Sequence, residues 1–158
     1  MKIVLSRIDE RLAHGQVISS WTRQLQVSKI LVIDDGLASD TFMTEVMKMA
    51  APTGVDVEVM SVENAIHRIQ EDNSNSNVML LFKSIDYAYK LVNSGFKLER
   101  LNVGNIGSGP KRKGITKRVF MSPEEIEMAK ELCHKGVYVY LQMLNSDAEV
   151  DIVKQIGL

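Results

Sequence analysis

The chain has 158 residues, of which 45% are hydrophobic and 25% charged, and its formal net charge is −1 at pH 7. A chain of this length and composition suits one domain with a sizeable core, so we expect a single domain over residues 1–158. The near-neutral charge argues against nucleic acid as the main partner, because nucleic-acid binders usually carry a strong basic excess.

Short apolar runs alternate with helical patterns along the chain. Apolar runs predict strands at 2–5, 29–33, 55–59, 78–82, 101–104 and 137–141. Apolar spacing and capping residues predict helices at about 15–24 and 40–51, and after Ser61, Ser84, Ser122 and Ser146. This alternation indicates an α/β fold with a mainly parallel central sheet and helices on both faces. Within that sheet we expect 78–82 to be central and 55–59 to lie near an edge.

The loop after the first strand carries the most informative residues. Arg7 and Arg11 lead into His14, and Gly15 follows at the predicted helix start. A helix N-terminus offers unpaired N–H groups to an anion, and glycine allows the anion to approach the backbone closely. Arginines donate bidentately to phosphate, and a histidine with a pKa of about 6.5 supplies a neutral nucleophile. This combination indicates covalent phosphate chemistry on His14.

Residue chemistry alone leaves a simpler interpretation open for the same loop. A lone histidine near a helix start is often a capping or hydrogen-bonding residue. The two arginines could pair with the adjacent acids Asp9 and Glu10. From the residues alone, His14 is therefore a candidate nucleophile and no more.

Three further side chains are expected near this loop, because the carboxyl ends of parallel strands share one edge of the sheet. Asp34 and Asp35 follow the second strand, and Lys83 follows the fourth. We interpret the two acids as turn residues that bond their own backbone, with metal binding or loop orientation as the alternative. Lys83 would contribute to the electrostatics of the site.

A basic, glycine-rich stretch at 104–118 is predicted to be a mobile loop. It contains five basic residues from Lys111 to Arg118, among them Lys113. Two of its glycines have the spacing of a nucleotide-binding P-loop, but Ile115 stands where that motif requires lysine, which excludes an ATP site. The stretch contacts a phosphate or an acidic partner, or it is simply solvated.

The single cysteine, Cys133, excludes an internal disulfide and a cysteine-pair metal site, and it fits a reducing cytoplasm. No stretch approaches the roughly 20 apolar residues of a membrane span. The apolar run at 3–5 is too short for a signal peptide. We therefore expect a soluble cytoplasmic protein.

The segment 7–17, Arg-Ile-Asp-Glu-Arg-Leu-Ala-His-Gly-Gln-Val, resembles the active-site loop of the IIB components of the mannose/fructose/sorbose family of the bacterial sugar phosphotransferase system. The similarity continues at 33–35, 48–52, 54–55, 102–104 and 115–117, and so covers nearly the whole chain. One departure is Ala13, where the family commonly has a larger aliphatic residue.

The resemblance implies a phosphotransferase with a phosphohistidine intermediate and assigns roles within the loop. His14 would carry the phosphoryl group, on Nδ1 by analogy with the family. Arg11 and Arg7 would stabilise its charge, and Asp9 would orient an arginine or the imidazole. The backbone N–H groups of Gly15 and Gln16 would bind the phosphoryl oxygens.

The resemblance also implies the partners. A IIA component would donate the phosphoryl group, and the sugar held by the membrane components IIC and IID would receive it, so that the protein associates peripherally with the permease. No metal, nucleotide or other cofactor is required. Lys111 and Lys113 would help to dock partners, with Asp34, Asp35 and Lys83 flanking the site. The sugar stays open, with N-acetylgalactosamine, mannose, fructose and sorbose as candidates.

Two other classes of function are weighed against this one. A non-covalent module of similar α/β build would bind a phosphorylated metabolite with His14 as an anion ligand. A hydrolase would use His14 with Asp34 or Asp35 to cleave a phosphoester. The sequence leaves the oligomeric state open, and a homo-oligomer is one alternative.

Overall fold

A computed structural model describes residues 1–157. Its strands are β1 (Lys2–Asp9), β2 (Lys29–Ile33), β3 (Asp56–Met60), β4 (Asn77–Phe82), β5 (Arg100–Asn105), β6 (Lys113–Gly114), β7 (Phe120–Met121), β8 (Tyr138–Leu141) and β9 (Val150–Asp151). Its helices are α1 (Gln16–Gln24), α2 (Asp35–Ala38), α3 (Thr41–Met49), α4 (Val62–Glu71), α5 (Ile85–Asn93), α6 (Pro123–His134) and α7 (Val153–Ile156).

Seven of these strands form one sheet in the order β3-β2-β4-β1-β5-β8-β9. All neighbouring pairs are parallel except β8 and β9, which are antiparallel at one edge. The predicted α/β fold with a mainly parallel central sheet is confirmed. The predictions that 78–82 is central and that 55–59 lies near an edge are also confirmed, as β4 and β3.

Side chains alternate between the two faces of the sheet and build a core on each. On one face, Ile30 and Leu81 pack with Ile18 of α1 and Met47 of α3. On the other face, the alternate strand residues, such as Leu80, pack against α4, α5 and α6. Because both faces are covered, the inner strands consist of nearly continuous apolar residues, as expected for a buried parallel sheet.

The connection after β1 runs towards one edge of the sheet, whereas the connections after its neighbours β4 and β5 run towards the other edge. Helix α1 follows β1 on one face, whereas α5 follows β4 on the other face, and the chain after β5 leads to α6 on that same face. Such a reversal opens a crevice at the carboxyl ends of the strands, where α/β proteins bind ligands. The loop that contains His14 lies at this point.

Three stretches differ from the prediction. The first strand does not end at Leu5 but continues to Asp9, because its backbone goes on pairing with β4 and β5, so Arg7 and Asp9 belong to β1 and not to the loop after it. The segment 104–118 is not a simple loop, because Lys113–Gly114 pairs with Phe120–Met121 as an antiparallel hairpin. Val119 and Met121 are buried in the main core, which anchors this hairpin to the domain. The short helix predicted after Ser146, through Val150, Val153 and Ile156, is confirmed only in its last part. The chain first adds β9 to the edge of β8, and the short helix α7 begins only at Val153.

The N-termini of two helices give a matched pair for a stability measurement. Ser122 Oγ accepts a hydrogen bond from the Glu125 N–H at 3.2 Å, and Glu125 accepts one from the Ser122 N–H at 3.0 Å. Ser84 also precedes a helix, but its side chain accepts no capping bond and contacts Asp86 instead. We expect Ser122→Ala to lower the free energy of unfolding by about 1 kcal/mol, because an orphan donor loses its partner.

Urea unfolding followed by circular dichroism measures this loss. Ser84→Ala is the control, with an expected loss of less than half that of Ser122→Ala. Equal losses in the two variants would contradict the importance of the capping bonds at Ser122.

Candidate functional site

The loop after β1 presents His14 to solvent. Leu12 and Ala13 are buried, whereas His14 is exposed. The loop turns through Leu12, which adopts a positive φ of 56°, and the Leu12 N–H donates to the Asp9 carbonyl at 2.9 Å. A left-handed backbone at a non-glycine residue is costly and persists only where the surroundings enforce it. Burial of the Leu12 side chain holds the backbone in this conformation. The imidazole of His14, two residues later, is left exposed.

Helix α1 begins directly after His14 and has no side-chain cap. Gly15 occupies the N-cap position with φ 95°, and no side chain bonds the N–H groups of the first turn. A Cβ at Gly15 would meet no atom within 4 Å, so the space beside its backbone is open. The predicted helix start at Gly15 is therefore confirmed. The N–H groups of Gln16 and the next residues are oriented as an anion-binding helix N-terminus requires.

The Arg7 side chain lies entirely within the protein, with 0% of it exposed. Its Nη1 donates to the side-chain oxygen of Asn102 and to the Gln142 carbonyl, the latter at 3.1 Å. Its Nη2 donates to Asp9 Oδ2 and to the Met143 carbonyl, each at 3.0 Å. Both terminal nitrogens of the guanidinium are therefore occupied by protein acceptors.

Further contacts enclose the Arg7 guanidinium. Its Cζ lies 5.3 Å from the centroid of the Trp21 ring, and the Trp21 indole N–H donates to the Met143 carbonyl at 3.2 Å. A Cβ at Gly104 would lie 2.2 Å from Arg7 Cζ, so only glycine leaves room there. Burial lowers the pKa of Arg7 from its ordinary value, and the charge of Asp9 opposes this shift. Arginine nevertheless stays protonated in proteins.

Asp9 connects the buried arginine to the exposed one. One carboxylate oxygen of Asp9 accepts from Arg7, and the other accepts from the Arg11 N–H at 3.0 Å. The side chain of Arg11 is 47% exposed, and its Nε lies 3.9 Å from Asp9 Oδ1. The two arginines thus have different environments. Arg11 has donors free for a ligand at the surface, whereas Arg7 lies beneath the loop and holds Asp9.

Asp34 and Asp35 are used by the backbone around them. Asp34 Oδ1 accepts from the Leu37 N–H and caps α2, and Asp35 Oδ1 accepts from the Val62 N–H, each at 2.9 Å. The interpretation of this pair as turn residues is supported by these bonds, although the Val62 partner belongs to another element. In residues 1–157, no group of three or more His, Cys, Asp or Glu side chains is arranged to hold a metal ion.

The basic, glycine-rich stretch at 104–118 is hydrogen-bonded to the loop that contains His14. Glu10 accepts from the Gly107 N–H at 2.8 Å, and Arg112 bonds both the Gly107 carbonyl and Glu125. These contacts, together with the hairpin, do not fit the expectation of a mobile loop. Lys111 and Lys113 are exposed, and Lys83 is exposed directly after β4.

Several residues of the buried network were not predicted from the sequence. Asn102, Gly104 and Trp21 contact Arg7, and the backbone carbonyls of Gln142 and Met143 accept hydrogen bonds from it. A polar residue in the apolar strand 101–104 was a usable signal for Asn102. Backbone carbonyls give no signal in the sequence, because every residue carries one.

Comparison with known proteins assigns the chain to a class of sugar phosphotransferase components. Residues 3–158 match the family model described as the PTS system sorbose subfamily IIB component. The chain belongs to this family, and it is a IIB component of a phosphotransferase system.

Relatives and solved structures agree with this assignment. The sorbose-specific EIIB component of Klebsiella pneumoniae is 33% identical, over 99% of this chain and 96% of that protein. The mannose-specific EIIAB component of Escherichia coli K12 is 31% identical over 99% of this chain, which spans 49% of that longer protein. The crystal structure of the IIBSor domain of the Klebsiella sorbose permease has a TM-score of 0.91 at 31% identity, covering 99% of this chain and 97% of that one. The crystal structure of manxB from Thermoanaerobacter tengcongensis has a TM-score of 0.88 at 38% identity, covering 98% and 96%.

Within residues 1–157, none of the helices combines the length and the apolar character needed to cross a membrane.

Gly104 provides a test of the packing around Arg7. We expect Gly104→Ala to lower the free energy of unfolding by about 1–3 kcal/mol, the usual cost of overpacking, because the buried guanidinium has no space into which to move. Chemical denaturation measures the loss. Gly109→Ala is the matched control, since a Cβ there would lie at an ordinary distance of 3.6 Å from Arg112. A Gly104→Ala variant as stable as Gly109→Ala would contradict the close packing of Arg7 against β5.

Proposed function

We propose that this IIB component is a cytoplasmic phosphocarrier that accepts a phosphoryl group on His14 from the phosphohistidine of a IIA component. It then transfers the group to a sugar held by the membrane components IIC and IID. The observation that carries this proposal is the exposed His14 directly before the uncapped N-terminus of α1, with the half-exposed Arg11 three residues earlier.

The proposed transfer exchanges one nitrogen–phosphorus bond for another. Nδ1 of neutral His14 supplies its electron pair to phosphorus, and Nε2 keeps its proton. The bond between phosphorus and the donor imidazole of IIA breaks, and that imidazole keeps the electron pair. In the second transfer, a sugar hydroxyl oxygen forms the bond to phosphorus and its proton passes to solvent. The bond between phosphorus and Nδ1 breaks, and its electron pair stays on His14. Since the donor is already a phosphohistidine, the reaction needs no nucleotide and no metal.

The proposed roles of the surrounding groups follow from where each one lies. Charge on the transferred phosphoryl group is stabilised by donors set around it. Arg11 is placed to donate from its exposed side chain, and the N–H groups of Gly15 and Gln16 are placed to donate from the helix start. We assign Arg7 and Asp9 as positioning residues, because both are buried and bonded to each other beneath the loop.

The exposed lysines are assigned to partner docking. Lys83, Lys111 and Lys113 are exposed and belong to segments that follow β4 and β5, whose carboxyl ends flank that of β1. Asp34 and Asp35 flank the site, but their carboxylates are engaged by backbone N–H groups, which leaves no observation in favour of a hydrolase. We propose a hexose or an amino sugar as the final acceptor; the relatives described above are named for the hexoses sorbose and mannose.

The first test measures the intact mass of the protein after mixing with phosphoenolpyruvate, the general phosphotransferase proteins and a cognate IIA. We expect one acid-labile phosphoryl group on the wild type and none on His14→Ala. His67→Ala and His134→Ala are the controls, because both histidines are exposed and lie on other helices.

The outcomes of this test separate the candidate functions. Phosphoryl label that persists in His14→Ala would refute the site assignment. An unmodified wild type, with a IIA that phosphorylates another IIB, would favour the non-covalent module that binds a phosphorylated metabolite.

Arg11 is tested by the rate of the same reaction. We expect Arg11→Ala to slow the phosphorylation of His14 by about a hundredfold, the usual cost of losing one donor to developing charge. Rapid-quench measurement with phosphorylated IIA gives the rate. Arg23→Ala is the control, since Arg23 is exposed in the last turn of α1. A rate within about twofold of wild type for Arg11→Ala would exclude Arg11 as a phosphoryl ligand.

A further inference from the structure

We propose that Asn102, in the middle of β5, is a positioning residue for phosphoryl transfer and acts on Arg11 through Arg7 and Asp9. This inference rests on the proposed function of His14 and Arg11. It assigns to the site a residue that lies on a different strand and makes no contact with the exposed loop.

The contacts form a continuous series from β5 to the loop. Arg7 Nη1 donates to Asn102 Oδ1, and Arg7 Nη2 donates to Asp9 Oδ2 at 3.0 Å. Asp9 Oδ1 then accepts from the Arg11 N–H at 3.0 Å. Asn102, Arg7 and Asp9 are all buried, so water is not available to replace a lost partner. The orientation of each group in the series therefore depends on the preceding one.

Asparagine suits this position because both ends of its amide are used. Its oxygen accepts from Arg7, and its nitrogen donates to the Gln142 carbonyl at 3.0 Å. The Gln142 carbonyl also accepts from Arg7 Nη1 at 3.1 Å. An aliphatic residue at this position would leave one N–H of Arg7 without an acceptor in the interior, and the Gln142 carbonyl would keep only its bond from Arg7.

The segment after β8 connects Arg7 to helix α1. The Met143 carbonyl accepts from Arg7 Nη2 and from the Trp21 indole N–H, at 3.0 and 3.2 Å. Trp21 belongs to α1, the helix whose N-terminus follows His14. Arg7 bonds this segment directly, and Asn102 bonds both Arg7 and Gln142, so Asn102 helps to fix where the segment supports α1. Loss of the Asn102 amide should therefore displace Arg11 and the helix N-terminus relative to each other.

Misplacement of reacting groups by about 1 Å can cost about a hundredfold in rate. We therefore expect Asn102→Ala to lower the maximal rate of His14 phosphorylation by about tenfold to a hundredfold. The concentration of phosphorylated IIA that gives half the maximal rate should change by less than about twofold, because the docking surface is untouched.

The experiment uses the full chain and rapid-quench transfer from phosphorylated IIA. Asn77→Ala is the matched control: the Asn77 amide donates to the Leu25 carbonyl at 3.1 Å, at the opposite end of the sheet from His14. It should lose a comparable hydrogen bond without slowing the transfer. In ¹⁵N spectra, the Arg11 amide resonance should shift in Asn102→Ala and stay in place in Asn77→Ala.

A double substitution tests whether Asn102 acts through Asp9. If the two residues act in series, Asn102→Ala combined with Asp9→Asn should slow the transfer no more than the more severe single variant, since coupled residues are not additive. Losses that multiply in the double variant would overturn the proposal. So would an Asn102→Ala variant with a wild-type maximal rate and an unshifted Arg11 amide.

Two controls keep the outcome interpretable. If Asn102→Ala does not fold, as judged by circular dichroism, Asn102→Ser is used with the same expectations, because its shorter side chain cannot span the distance to Arg7. If the wild type itself accepts no phosphoryl group from IIA, the proposed function fails. A failure of the inference on Asn102 appears only with an active wild type.

Discussion

The structure depends on one buried charge, the guanidinium of Arg7. Removal of such a group from water costs several kcal/mol, and only opposite charge and well-placed acceptors offset that cost. Here Asp9 supplies the opposite charge, the Asn102 side chain and the carbonyls of Gln142 and Met143 supply acceptors, and the Trp21 ring covers one side. Because these groups come from β1, β5, α1 and the segment after β8, pairing the two terminal nitrogens of Arg7 brings four parts of the chain together. The buried Nε of Arg7 has no hydrogen-bond partner within residues 1–157.

The two arginines are four residues apart but lie in different environments. Arg7 is buried and organises the loop from below, while Arg11 keeps an exposed side chain beside His14. A loop held in this way can present an imidazole and a helix N-terminus with little rearrangement on binding. Phosphoryl transfer depends mostly on such positioning.

Local signals predicted the regular elements well. The apolar strands, the helix that starts at Gly15 and the capping box at Ser122 were recognisable because each depends on residues close in sequence. The hairpin at 113–121 was missed because each of its strands has only two residues. The burial of Arg7 could not be predicted either, since arginine is normally exposed and its acceptors lie up to 136 residues away.

The α/β class, the position of the His14 loop after the first strand and the family resemblance could all be read from the residues in order. These rest on periodicity and on contiguous motifs. The three-dimensional fold was needed to show that Arg7 is buried and Arg11 exposed, and that Asn102 and the carbonyl of Met143 belong to the same network. The physical reason is that burial of a charge is determined by partners from distant strands, and those partners include backbone groups that no residue type reveals.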